Sequence, residues 1–131
     1  MRQSYVRFVT AIVDEYSGRR QGLFQAAGDL EDGKELRADE VAELRAIRAW
    51  FNENLEKPLR FSRSRRPGAS AKAISWFKSS AVEHVSRMHA ICRTLEEHGI
   101  QTEMITTARP GYIVFEDEFQ IAAEPFAETR T

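Results

Sequence analysis

The spacing of apolar side chains along the chain predicts three helices. Between residues 39 and 55 apolar residues recur every three or four positions, which is typical of a helix with one buried face. The same spacing occurs over 81–98, where the predicted buried stripe consists of Val82, Val85, Met88, Cys92 and Leu95. A glycine follows to end that helix. The shorter apolar run 23–28 predicts a third helix, which an Asp-Gly turn at 32–33 would end.

Two early segments have the composition of strands. Residues 5–13 are rich in β-branched and aromatic side chains, which fit a pleated surface better than a helix. Apolar positions in the same stretch would also line one helical face, so periodicity alone leaves both interpretations open. We take 5–13 as a strand, and 73–77 as a second, shorter strand.

The C-terminal third of the chain predicts a meander of three strands. The segments 102–108 and 112–115 flank Arg-Pro-Gly at 109–111, where proline fixes φ and glycine permits positive φ. This pattern predicts a hairpin between those two segments. A second reversal at 116–118 leads to a strand over 119–123, and three short strands in succession favour antiparallel pairing.

These elements together predict an α+β fold. We expect an antiparallel, possibly mixed, sheet of four to five strands with about three helices packed on one face. The chain has 131 residues, of which 42% are apolar. A chain of this length corresponds to one ordinary domain, so we expect a single domain over 1–131.

Composition restricts the setting of the protein. A formal net charge of −1 excludes a uniformly basic nucleic-acid coat and an acidic solvating tail. The single cysteine, Cys92, has no partner for an internal disulfide, so we expect a reducing, cytoplasmic compartment. No stretch approaches the roughly 20 apolar residues of a membrane span, so we expect no membrane partner.

The charges are unevenly distributed along the chain. Residues 57–78 contain seven of the 19 Lys and Arg side chains and no Asp or Glu, a local charge of +7. The remainder has 12 cations and 20 anions, a net charge of 12 − 20 = −8. Seven like charges repel one another unless negative charge lies close to them. Residues 60–72 show no periodicity, and we predict that they form an exposed basic loop.

This charge pattern predicts a small non-enzymatic module that binds an anionic partner, either a nucleic acid or an acidic protein. Guanidinium groups match phosphate or carboxylate oxygens in pairs, and aromatic rings among cations can stack on bases. The predicted anion-binding residues are Arg60, Arg63, Arg65, Arg66 and Lys78. The predicted stacking residues are Phe61 and Trp76.

Two alternatives need no foreign anion. In the first, the basic loop folds over the acidic helix of the same chain, and Arg60 and Arg63 pair with carboxylates such as Glu53 and Glu56. In the second, the acidic turn 116–118 receives the basic loop of another copy, which would make the protein a self-associating homo-oligomer.

A small enzyme is a further alternative. The arginine cluster would hold a phosphorylated or carboxylated ligand, and His84 would act as acid or base. This hypothesis predicts a concave pocket with His84 in its wall and at least two arginines converging on it. The sequence offers no second catalytic group at a plausible spacing, so we assign no catalytic residue.

We expect no metal and no cofactor. His84 and His89 differ by about 140° around their predicted helix, and His84 and His98 lie about 21 Å apart along it. His89 and Cys92 can touch, since they are three residues apart. Cys92 falls within the apolar stripe of that helix, however, and a buried thiol behaves there as a small hydrophobe.

Several segments together resemble a group of small uncharacterised bacterial proteins. The resemblance spans most of the chain and implies a bacterial, cytoplasmic setting. It transfers no activity, cofactor or site residue. The segments concerned are 50–52, 73–78, 83–84, 109–112, 116–118 and 123–126.

Overall fold

The computed structural model describes residues 3–16, 18–57 and 73–131. These residues form six strands and three helices, an α+β fold. The elements in chain order are β1 (Tyr5–Val13), β2 (Arg20–Gly22), α1 (Leu23–Asp32), α2 (Ala38–Asn54), β3 (Ile74–Lys78), α3 (Val82–Glu97), β4 (Thr102–Thr107), β5 (Tyr112–Glu116) and β6 (Gln120–Glu124).

The sheet has the strand order β2-β1-β3-β6-β5, and β4 pairs with β1. The pairs β1–β2, β1–β3, β3–β6 and β5–β6 are antiparallel. The predicted fold class is therefore confirmed, with one strand more than the four to five expected. The sequence pattern does not predict β2, because three residues are too few to show a hydrophobic period.

The predicted hairpin between β4 and β5 is wrong, whereas the predicted reversal at 116–118 does join two paired strands, β5 and β6. The Pro-Gly pair serves a different contact. Gly111 has φ +134°, and a Cβ at this position would overlap the backbone carbonyl of Glu124. Glycine is therefore needed for the close approach of β5 to the end of β6, not for a turn back to β4.

The chain forms two compact units. The strand unit comprises the described residues of Met1–Arg7, Glu56–Val85 and Ile105–Thr131. The helix unit comprises the described residues of Phe8–Leu55 and Ser86–Met104. The strands β3, β5 and β6 belong to the strand unit, and β2, α1, α2 and most of α3 belong to the helix unit. The sequence pattern did not indicate this division.

The core of the strand unit forms around β3 and β6. Trp76 of β3 is paired in register with Ile121 of β6, and the two residues are 1% and 0% exposed. The next two positions of β6, Ala122 and Ala123, are also buried. Val114 of β5 is fully buried as well. These contacts remove a large apolar area from water, which is the main favourable term in folding.

The helix unit is held together by aromatic contacts and charge pairs. Phe24 of α1 meets Phe51 of α2 edge-on, with ring centroids 5.2 Å apart. Glu31 of α1 accepts from Arg45 and Arg48 of α2 at 3.0 and 2.9 Å. The two arginines hold the pKa of the Glu31 carboxyl below its ordinary value. These pairs fix α1 against α2.

The buried face of α3 differs from the predicted stripe at its first residue. Met88, Cys92 and Leu95 are buried as expected, and Ile91 joins them. Val82 was predicted in the same stripe but is 71% exposed. It begins the helix, and a side chain in the first turn often lies beyond the surface that the rest of the helix covers.

Candidate functional site

Two of the residues predicted to bind a ligand, Lys78 and Trp76, lie within the described ranges. In the structure, Lys78 forms an ion pair and Trp76 is buried, both within the strand unit. The Lys78 Nζ lies 2.8 Å from Glu116 Oε2. Trp76 is 1% exposed, which corrects its predicted stacking role, because a base needs an exposed ring face. The other predicted residues, Arg60, Arg63, Arg65, Arg66 and Phe61, lie outside the described residues, as does the predicted loop 60–72.

His84 is packed between aromatic rings at the start of α3. It is 3% exposed, and its ring stacks on Phe119 with centroids 4.5 Å apart and planes inclined at 29°. The ring of Phe77 lies 6.0 Å away on a tilted plane. His84 lines neither the groove between α2 and α3 nor the cavity beside α3 and β4. Neither space is therefore the concave pocket around His84 that the enzyme hypothesis requires.

The acidic turn between β5 and β6 is internally bonded. Asp117 Oδ1 accepts the backbone N–H groups of Phe119 and Gln120 at 2.8 and 3.0 Å, which is the hydrogen-bonding pattern of an Asx turn. The amide of Gln120 donates to Asp117 Oδ2 and also to the backbone carbonyl of Glu56. With Glu116 paired to Lys78, two of the three carboxylates in this turn already have partners in the same unit.

A groove lies between α2 and α3 in the helix unit, and we call it the α2–α3 groove. Two contacts show that the helices run in opposite directions. Glu40, in the first turn of α2, contacts His98, just beyond the end of α3. Trp50, in the last third of α2, contacts Arg87 in the first third of α3. The groove has a volume of about 440 Å³.

Each helix contributes one wall of the groove with residues at helical spacing. The α2 wall is formed by Glu43, Ala46, Ile47 and Trp50. The α3 wall is formed by Ser86, Arg87, Ala90 and Arg93. The two walls each extend over about seven residues, or about 10 Å of helix. Alanines at mid-length and the buried Ile47 give the groove an apolar floor.

Cationic side chains mark the two ends of the α3 wall. The Arg87 guanidinium lies over the Trp50 ring, 4.1 Å from the ring centroid, in a cation–π arrangement. Arg93 is exposed near the opposite end, and no ion pair involves it in the described part of the chain. By contrast Arg20, Arg37, Arg45 and Arg48 of the same unit are each paired with a carboxylate.

A buried carboxylate, Glu40, lies on α2 three residues before Glu43 and outside the lining of the groove. Glu40 is 3% exposed, accepts the Arg37 backbone N–H at 2.8 Å, and has both oxygens 3.1 Å from His98 Nε2. The Arg37 N–H holds the pKa of the Glu40 carboxyl below its ordinary value, with His98 and the Arg37 guanidinium adding to the effect, although burial opposes it. This carboxylate fixes the start of α2 to the end of α3.

A second cavity of about 310 Å³ lies beside α3, and we call it the α3–β4 cavity. Phe8 of β1 lines it together with four α3 residues and two β4 residues: His89, Cys92, Arg93, Glu96, Thr102 and Met104. Burial raises the pKa of the Cys92 thiol, and a hydrogen bond with Thr102 partly offsets that rise. In the described ranges, no three His, Cys, Asp or Glu side chains are arranged to hold a metal ion.

The residues of the α2–α3 groove were not among those predicted from the sequence. Glu43, Ala46 and Trp50 are spaced by three and four residues, as are Ser86, Ala90 and Arg93, so each set shares a helix flank. That signal was present in the sequence. Nothing in the local pattern indicated that these two flanks face each other, because helix pairing is a tertiary property.

Comparison of the chain with protein-family models, with curated proteins and with solved structures finds no match. Among the described helices, none combines the length and apolar content that crossing a membrane requires. The function of the protein must therefore be inferred from the geometry and charge of the groove and the cavity.

Proposed function

We propose that this protein is a small non-enzymatic module that binds an anionic partner, and that the partner is an acidic segment of another protein. The α2–α3 groove provides the described part of the binding surface. The observation that supports this proposal is the position of Arg93. It lines an open groove without an ion pair to any described residue, while four other arginines of the unit are paired.

The groove matches a short amphipathic segment in both shape and charge. Its length of about 10 Å corresponds to two helical turns, and its apolar floor suits the alanine or leucine face of a helix laid in a groove. An acidic side chain at one edge of such a segment would pair with Arg93.

A nucleic acid fits this groove less well than an acidic peptide. Base stacking needs a free aromatic face, but the Trp50 ring already contacts the Arg87 guanidinium on one side and Phe51 edge-on at 5.2 Å. Tracking a phosphate backbone also needs several cations in a row, and the groove offers two. We therefore treat nucleic-acid binding as an outcome of the test.

The basic stretch Arg60, Arg63, Arg65 and Arg66 stays in the proposal on charge alone, as additional cations for the same acidic partner. A cytoplasmic setting is inferred in the same way from the single cysteine.

Fluorescence anisotropy tests the proposal with a labelled amphipathic peptide of about 14 residues that has glutamates along one edge of a leucine and alanine face. We expect Arg93→Gln to weaken binding about tenfold, which corresponds to about 1.4 kcal/mol. Arg45→Gln is the matched control. It removes the same charge from the same unit, but Arg45 does not line the groove, and Glu31 keeps Arg48 as a partner.

A labelled single-stranded oligonucleotide in the same assay distinguishes the two partner classes. Tight oligonucleotide binding that falls steeply with salt and does not depend on Arg93 would favour a nucleic-acid partner instead. Equal loss in Arg93→Gln and Arg45→Gln would show that total charge, not the groove, binds the peptide. Absence of binding to both probes at low salt would contradict the proposal.

A further inference from the structure

The α3–β4 cavity brings together three side chains whose donor atoms prefer soft metal ions. The donors are the thiol of Cys92, the imidazole of His89 and the thioether of Met104, and all three line the same space of about 310 Å³. Thiolate and thioether ligands select copper(I) among the biological metals, and imidazole is a good third ligand for copper. None of these three donors lines the α2–α3 groove.

Local structure places two of these donors side by side. His89 and Cys92 are three residues apart on α3, so their Cβ atoms are about 5–6 Å apart on one helix face. The His89 ring meets Phe8 edge-on, with centroids 5.1 Å apart and planes at 89°. This contact restricts the orientation of the imidazole, which is what a metal ligand requires.

The third donor comes from the neighbouring strand. Met104 of β4 is 44% exposed, although its side chain is apolar. Its exposure leaves the thioether accessible at the cavity, opposite the helix that provides the other two donors. Thr102, two residues earlier on the same strand, donates a hydrogen bond to Glu96 Oε1 at 2.9 Å and so ties β4 to α3.

The charge balance of the cavity favours a monovalent ion. The Glu96 carboxylate and the Arg93 guanidinium also line the cavity, and their formal charges offset each other. A single thiolate and one copper(I) ion then form a neutral unit, whereas a divalent ion on the same thiolate leaves a net positive charge in a place where Cys92 is only 8% exposed. Divalent zinc also prefers four His, Cys or carboxylate ligands, and the described residues offer no group of three.

We propose that Cys92, His89 and Met104 form a binding site for a soft monovalent metal ion, copper(I). On binding, a Cys92 sulfur–copper bond forms, the sulfur–hydrogen bond breaks, and the proton leaves to solvent without any change in oxidation state. Neutral His89 and Met104 each donate one electron pair to the ion.

The test is competition for copper(I) supplied as its bicinchoninate complex under anaerobic conditions, using the full chain. We expect the protein to withdraw one equivalent and to develop thiolate-to-copper absorbance in the near ultraviolet. The absorbance reports one site, because the chain has a single cysteine. Cys92→Ser should abolish it, while Met104→Leu and His89→Gln should each weaken binding by roughly tenfold or more.

Two controls separate the site from nonspecific binding. Met88→Leu changes the buried methionine of the same helix, and His98→Gln changes a histidine that contacts Glu40 instead of the cavity. Both should leave the copper(I) affinity unchanged. His89 is exposed and Met104 partly so, and their variants keep the proposal testable even where Cys92→Ser does not fold.

If the wild-type protein, Met104→Leu and His89→Gln had equal copper(I) affinities, only the Cys92 thiol would contribute to binding. That result would overturn the proposal. Withdrawal of one zinc ion with equal affinity would overturn it as well. Peptide binding in the α2–α3 groove is measured separately, so failure of either proposal is recognisable on its own.

Discussion

The strand unit and the helix unit use their charged and aromatic side chains in different ways. In the strand unit, the three described residues for which the sequence suggests a function make contacts within the unit. Trp76 is buried, His84 packs between two rings, and Lys78 pairs with Glu116. In the helix unit, half-buried Trp50 and exposed Arg93 line an open groove. A residue type alone therefore does not distinguish a core group from a binding group.

The two tryptophans provide the sharpest form of this comparison, since the chain has only these two. Each is followed by phenylalanine, and the two pairs look equivalent in the sequence. Trp76 is buried on β3, where it is paired in register with Ile121 of β6. Trp50 lies on a helix flank, where Arg87 covers one face of its ring. Substitution of Trp76 should therefore lower mainly the stability of the protein, and substitution of Trp50 should lower mainly its affinity for the peptide.

The largest expected effect is the loss of stability in Trp76→Ala. Emptying a site that is 1% exposed should cost about 3–5 kcal/mol in the free energy of unfolding, measured by urea denaturation. Trp50→Ala loses a cation–π contact and an edge-on aromatic contact, together about 1–2 kcal/mol. We expect that variant to weaken binding of the labelled acidic peptide about tenfold.

The conservative variants Trp50→Phe and Trp76→Phe provide the control, because both keep an aromatic ring. Phenylalanine at position 50 should retain part of the peptide affinity. The comparison between the units would fail if both alanine variants lost equal stability and peptide binding did not depend on Trp50.

A smaller effect is expected from Glu40→Gln, and it should depend on pH. The folded-state pKa of Glu40 lies below its ordinary value of 4.5, so its ionised form adds stability above that pH. That contribution is lost as the pH falls through the lowered folded-state pKa. The stability difference between wild type and Glu40→Gln should therefore be largest at neutral pH and shrink in acid.

Urea denaturation at several pH values from neutral into the acid range measures this difference. Glu53→Gln is the matched control, because Glu53 is an exposed carboxylate in the last turn of the same helix. It should leave the stability nearly unchanged throughout. A wild-type advantage over Glu40→Gln that stays constant well below the ordinary pKa of the carboxyl would contradict the assignment of the pH dependence to this group.

Much of the fold could be predicted because local patterns determine it. The strand over 5–13 agrees with β1 in both bounds, and the helices over 39–55 and 81–98 agree with α2 and α3 within one residue at each end. The partner of β4 could not be predicted, since a turn signal such as Pro-Gly specifies a backbone conformation and not the strand that lies alongside.

The site was harder to predict than the fold. The basic stretch is visible in the sequence because its cations are close together along the chain. The groove is formed by side chains of two helices that are about 40 residues apart in the chain. Arg93 has an acidic neighbour three residues on, Glu96, and so shows no excess charge locally. That no described carboxylate pairs with Arg93 becomes evident only when the partners of the other arginines are known.

The smallest effect is expected from Lys78→Gln, the remaining predicted anion-binding residue within the described ranges. Its side chain is 15% exposed and that of Glu116 is 31% exposed, so the pair should contribute at most about 1 kcal/mol to stability. Because Glu116 already neutralises Lys78, the substitution should leave peptide binding nearly unchanged. A double-mutant cycle with Glu116→Gln measures the pair energy.

The Lys78 result discriminates between charge in the sequence and charge that is available on the surface. If Lys78→Gln weakened peptide binding as much as Arg93→Gln does, the ion pair with Glu116 would have to open for the ligand, and paired cations would count as binding groups. If only Arg93→Gln weakens binding, a cation contributes to the site when the folded chain leaves it without a carboxylate. The second result is expected, because separating an existing ion pair offsets much of what a new one contributes.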